Sequence, residues 1–205
     1  MLSGYMLPLF GQSWSVFAPE PINGSYGFLV RAVTKDSDGK EHTTDWVSAT
    51  DVELSMIRNN LFPPRAGIQA AQLASEVKGA FDDLTDDHRV IAGLNYFDGD
   101  WEQRMETKMA SYGGADAVTA FIAKDHMAVA YATQVARAVW GRSVTRVQYR
   151  ITRQNVVPFA QRNDPDAQPP ALKVTVTGWR GLAVNPGQSD AAFADVFRAQ
   201  WEATR

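Results

Sequence analysis

Apolar residues recur every third or fourth position over 115–140, at Val118, Ile122, Val129, Ala132, Ala136 and Val139. That spacing predicts one long helix with a face on a core. Gly113 and Gly114 precede it and Gly141 ends it, as glycines do at helix boundaries. A period of two follows. Over 144–157, Val147, Tyr149 and Ile151 alternate with Arg146, Gln148, Arg150 and Thr152. Over 171–180, Leu172, Val174 and Val176 alternate with Lys173, Thr175 and Thr177. These two segments are expected to pair as a long hairpin with one face on the core.

Residues 26–34 are rich in aromatic and β-branched residues and predict a strand. Asp38-Gly39 marks a turn, and 42–48 returns as a second strand. Thr50-Asp51-Val52-Glu53 has the form of a capping box opening a short helix before Pro63-Pro64. A further helix is expected over 67–81, with Ile68, Leu73, Val77 and Phe81 as its apolar positions. Asp86 to Gly93 and Trp101 to Ala110 fit short helices around an Asp98-Gly99-Asp100 turn. Residues 161–170, with three prolines, form a loop, and Ser189 caps a last helix over 190–203. The order of hairpin, helices, hairpin and helix defines an α+β class with an antiparallel sheet. It divides into an aromatic and proline-rich arm over 1–25 and a single domain over 26–205.

Composition narrows the function. Apolar residues make up 45% of the 205, which suffices for a core. The net charge of −3 lacks the basic surplus that a nucleic-acid binder uses to displace counterions, so no nucleic-acid partner is expected. No cysteine is present, which removes disulfides, thiol nucleophiles and iron–sulfur ligation together. No apolar run approaches the roughly 18 residues of a membrane span, and the opening residues lack the basic n-region of a signal peptide. Met1 to Phe10 is uncharged, apolar and broken by Pro8. It reads either as the stretch following a membrane helix or as an arm packed on its own domain.

Candidate chemistry is sparse. His42, His88 and His126 have no metal-ligand spacing, and no cofactor motif is present. Asp125 shares the stripe of Val118, Ile122 and Val129, so its carboxylate is expected to be buried and paired, with Arg146 or Arg150 as partner. With His126 beside it, the set Asp125, His126, Arg146 and Arg150 would form a pocket; a structural ion pair, or a helix rotated slightly so that Asp125 is exposed, is the plainer alternative. Asp36, Asp38 and Glu41, and Asp98, Asp100 and Glu102, resemble fragments of a cation loop but fit solvated turns better. Arg146, Arg150, Arg153, Arg162 and Arg180 lie in or beside the second hairpin. Arg146 and Arg150 share a face with Gln148, and this strip could take phosphate, carboxylate or lipid headgroups.

The most distinctive stretch runs from Pro8 to Pro21, where Phe10, Trp14 and Phe17 alternate with prolines and small residues. Together with Ala130-Tyr131-Ala132-Thr133, Val147-Gln148-Tyr149-Arg150 and Gly178-Trp179-Arg180, it resembles an uncharacterised, mostly actinobacterial family, domain of unknown function 5819. The resemblance implies a domain held by a single N-terminal membrane helix on the outer face of the cell membrane. Here that helix would lie ahead of Met1. The family carries no activity, so no catalytic residue, metal or cofactor follows from it. The expected function is therefore an interaction or accessory domain that binds a protein or envelope component, with Tyr5, Trp14 and Phe17 as its surface. The alternative is a small-ligand binder or enzyme using the Asp125 pocket.

Overall fold

The computed structural model describes residues 24–58 and 68–204. The arm, with Tyr5, Trp14 and Phe17, lies outside the described residues. Strand β1 (Gly24–Lys35) and strand β4 (Val144–Asn155) pair antiparallel along nearly their whole lengths, with Phe28 opposite Ile151 and Val30 opposite Tyr149. Around this pair the sheet orders β2 (Glu41–Thr43), β1, β4 and β5 (Lys173–Val176). Two short strands join it: β3 (Val47–Ser48) on β1 and β6 (Arg180–Gly181) on β4. Among the described residues the pairings between these strands are antiparallel, with one isolated parallel bridge between Tyr96 and Arg180, and the α+β class holds.

One face of this sheet, here the inner face, carries Phe28, Val30, Ala32, Val147, Tyr149 and Ile151, all buried. Helices α1 (Ala49–Ile57), α2 (Gln69–Asp82), α3 (Asp86–Ala92), α4 (Trp101–Ala110), α5 (Ala115–Trp140) and α6 (Asp190–Ala203) complete the fold. Helix α5 packs against α2, α4, α6 and the sheet. From Ala128 onward it is buried almost all round, and Ala128, Ala130, Ala132, Ala136 and Ala138 are fully covered. Small side chains let four neighbours approach one axis, which an amphipathic surface helix never needs.

Several expectations require correction. The strand over 42–48 is broken at Thr44, whose hydroxyl accepts from the Ala32 N–H at 3.0 Å and so replaces a ladder bond. The break turns Trp46 across the sheet. Helix α1 is capped by Ser48, which accepts from Asp51 N–H at 3.2 Å; Thr50 sits inside the helix and accepts from Phe28 N–H at 2.8 Å. In α2 the buried stripe is Ala70, Ala74 and Val77, while Ile68 is exposed.

The largest correction concerns the second hairpin. Strand β5 is shorter than expected, and its parity is the reverse of the hydropathy pattern. Thr175 pairs with Ile151 and faces inward, and Thr177 follows it, donating its hydroxyl to Tyr149 O at 2.9 Å. Leu172, Val174 and Val176 are left exposed. In a pleated sheet register alone decides which side chains share a face, and the pairing with β4 overrides the apolar alternation.

Candidate interaction surface

The predicted site residues do not meet. Asp125 is fully buried, as its place on the apolar stripe of α5 predicts, but its partners are Arg180 and Tyr149. Arg180 Nε donates to Asp125 Oδ2 at 3.1 Å, and the Tyr149 hydroxyl donates to Oδ1. The rest of the guanidinium turns to the end of α3. Nη2 donates to Ala92 O at 2.7 Å and Nη1 to Leu94 O at 2.9 Å. Arg180 thus satisfies carbonyls that a helix C-terminus leaves open and neutralises the carboxylate in one step. Burial pushes the Tyr149 hydroxyl well above the usual tyrosine range, so it stays a donor. Both oxygens of Asp125 are occupied, and the centre is a staple joining α5, β4, α3 and β6.

Arg146 and Arg150 cannot reach it. They alternate with Val147, Tyr149 and Ile151 and so lie on the outer face, across the sheet from Asp125. His126 leaves in a third direction. Its Nδ1 meets Glu102 Oε2 at 2.7 Å and its Nε2 meets Asn185 Oδ1 at 2.8 Å. Glu102 holds the imidazole above its ordinary range, opposed by partial burial. The other histidines are engaged as well: His88 Nε2 meets Met109 O at 3.0 Å, and His42 meets Asp36 at 2.9 Å. Asp36 also accepts from the N–H groups of Asp38 and Lys40, as a tight hairpin turn requires. Among the described residues no group of three or more His, Asp or Glu is placed to hold a metal ion.

A buried carboxylate that sequence reading missed is Glu53. It accepts from the Tyr131 hydroxyl at 2.6 Å and from the Ala70 N–H at 2.7 Å. It therefore caps α2, which has no side-chain cap of its own. Burial pushes it above the usual carboxylate range, against these hydrogen bonds. Charge pattern could not reveal it, because Glu53 occupies a position where a short surface helix ordinarily carries solvent-facing acid.

The outer face holds the most distinctive arrangement. The Arg31 guanidinium lies 4.7 Å from the Trp46 ring centre and 5.0 Å from that of Trp179. Arg146 lies 4.6 Å from Phe97 and 5.9 Å from Trp179, and Arg150 lies 4.6 Å from Trp46. Aromatic rings and guanidiniums thus interleave in the order Phe97, Arg146, Trp179, Arg31, Trp46, Arg150. Each such stack contributes about 0.5–1 kcal/mol at an exposed site. Gln148 locks the middle of the row: it accepts from Arg31 Nε at 2.7 Å and donates to Thr177 O. Arg146 pairs bidentately with Glu41, at 3.2 and 2.6 Å. Beyond the row lie the exposed Val174 and Val176 of edge strand β5.

The predicted arginine strip is therefore divided. Arg146 and Arg150 belong to the outer face, Arg180 to the core, Arg153 stacks on Tyr26 at 5.3 Å, and Arg162 stacks on Phe159 at 3.8 Å. Sequence reading missed Arg31, Trp46, Trp179 and Phe97 as members of the row. The one available signal was alternation in β1, where Arg31 falls between the inward-facing Val30 and Ala32.

The chain belongs to the family of unknown function (DUF5819), whose model matches residues 1–182. The match includes the arginine–aromatic row and the Arg180 staple, and ends before α6. No curated protein and no solved structure matches the chain.

Proposed function

We propose that this chain is the interaction domain of a membrane-anchored bacterial protein and that it meets its partner through the outer face of its sheet. The observation carrying this reading is the half-buried row of Trp46, Trp179, Phe97, Arg31, Arg146 and Arg150. Tryptophan and arginine are the residues that dominate binding energy at protein interfaces. The exposed valines of β5 extend that row with apolar surface. Against an enzyme stands the dispersal of Asp125, His126, Arg146 and Arg150 into three separate environments, since catalysis needs its groups within hydrogen-bond reach.

An anchored, extracytoplasmic location belongs to the same reading and is supported by the family likeness of the opening segment. No helix among the described residues is long and apolar enough to cross a membrane, so an anchor in this reading lies outside them. Protease added to intact spheroplasts should degrade the full-length protein; protection equal to that of a cytoplasmic marker would refute this location.

The interface is tested by photo-crosslinking in the native cell. A benzophenone side chain at Val176, on the outer face, should give a discrete crosslinked product. The same group at Val90, exposed on α3, should give none. Equal yields from both positions, or none from either, would remove the outer face as the interface.

A further inference from the structure

We infer that Arg31 and Arg150, held on the Trp46 ring, form a carboxylate-binding subsite for an extended acidic segment of the partner, an inference that rests on the interface reading above. Both guanidiniums lie within 5 Å of one indole, at 4.7 and 4.6 Å from its centre. The two guanidiniums can lie no further apart than the sum of these distances, so the carboxylates of one extended segment can answer both charges. Among the described residues neither arginine has a carboxylate partner. Arg31 uses Nε on Gln148, and among the described residues its outer nitrogens have no hydrogen-bond acceptor. Arg150 Nε is buried with no hydrogen-bond acceptor, as are the Nε atoms of Arg146 and Arg153, so a ligand carboxylate would meet the outer nitrogens of Arg150, as Glu41 meets those of Arg146.

The same face contains its own precedent. Arg146, next along the row, is stacked on an aromatic ring in the same way, yet its fork is closed by Glu41. Stacking and carboxylate pairing are therefore compatible here, and Arg31 and Arg150 lack only the second element. Gln148 and the indole pre-set the guanidinium planes, which reduces the ordering cost of a fork-to-carboxylate contact.

The surroundings favour a polypeptide over a bilayer. These arginines are half-buried and stacked, whereas lipid surfaces are read by projecting, solvated cations. Beside them, Leu172, Val174 and Val176 expose apolar surface, and among the described residues β5 pairs only with β4. An edge strand of this kind accepts an extended segment, whose alternate side chains lie over the face. A segment in which acidic and apolar residues interleave matches both features.

The probe is a blocked peptide of alternating Glu and Val, titrated into the full chain by calorimetry, with a Gln–Val peptide, inorganic phosphate and phosphatidylglycerol vesicles beside it. The Glu–Val peptide should bind saturably and more weakly as salt rises. Arg150→Gln and Arg31→Gln, each checked for a native near-ultraviolet spectrum, should weaken it about tenfold or more. Phosphate should compete only at concentrations far above the peptide. Equal binding of the Glu–Val and Gln–Val peptides, an unchanged affinity in both variants, or binding of vesicles with no binding of the peptide would each overturn the subsite. The Val176 crosslink separates this failure from the failure of the interface. A crosslink retained in the Arg31→Gln, Arg150→Gln double variant refutes the carboxylate subsite while leaving the interface standing. A crosslink absent from the unsubstituted protein refutes both.

Discussion

Arginines occupy both faces of the sheet, and the two sets are finished differently. On the inner side Arg180 is fully buried, paired with Asp125 and bonded to the carbonyls at the end of α3. On the outer side Arg31 and Arg150 are half-buried and stacked on aromatic rings, with no carboxylate among the described residues to meet them. A charge taken wholly out of water must be paired within the fold, because the cost of leaving it unpaired exceeds most stabilising contributions. A charge at the surface carries no such demand and can keep donors for another molecule. The tripeptide Gly178-Trp179-Arg180 links the sets. Trp179 joins the outer row, and the next residue turns inward to Asp125. Gly178 lets the backbone pass against Leu94, where a Cβ would lie 1.9 Å from its carbonyl oxygen.

The comparison breaks most readily at Arg180. Arg180→Met leaves Asp125 buried without a counter-charge and should cost about 3–5 kcal/mol, measured by urea unfolding. Adding Asp125→Leu should recover roughly half of that loss, because an apolar pair replaces the stranded charge. A double variant as unstable as the single one would show that the staple acts through the α3 carbonyls instead. Gly178→Ala tests the link. It should cost about 1–3 kcal/mol through overpacking against backbone that cannot yield, and it should disturb both faces, visible as changed tryptophan fluorescence together with a lowered unfolding midpoint.

The outer row should respond quite differently. Arg150→Gln should change stability by no more than about 1 kcal/mol, since it removes one partly solvated stack, while weakening any acidic partner. A loss equal to that of Arg180→Met would abolish the distinction between the faces. The smallest expected effect is pH dependence at His126. Glu102 raises its pKa in the folded chain above the ordinary histidine value near 6.5. Its contribution is therefore complete below the unfolded pKa and is lost as pH rises through the folded one. The urea midpoint should fall across the window that opens near 6.5, and Glu102→Gln should flatten that decline.

How much was legible depended on whether a signal was local. The 115–140 helix and its glycine boundaries were readable because Gly114 and Gly141 both adopt positive φ at its ends, a requirement of backbone sterics alone. The burial of Asp125 was readable from helical periodicity. Its partner was not: Arg180 lies 55 residues away and is brought in by a short strand that pairs through Arg180 and Gly181 only. Arg146 and Arg150 were nearer in pattern but on the wrong side of the pleat. Trp46 was invisible as a site residue because its position follows from the Thr44 hydroxyl interrupting a strand.

By itself the sequence determined the α+β class, the order and approximate bounds of the main elements, the helix caps at Gly114 and Ser189, and the need for Asp125 to find a buried partner. Each is a matter of periodicity, backbone sterics or desolvation, all of which act within a few turns of chain. Only the tertiary structure decided which face of β5 is buried, which arginine neutralises Asp125, and which arginines lie over Trp46. Register is a property of two strands together, and one residue of slip exchanges the faces of either. A pairing of distant residues is therefore decided when the strands meet, and the surface proposed for binding comes into being at that same step.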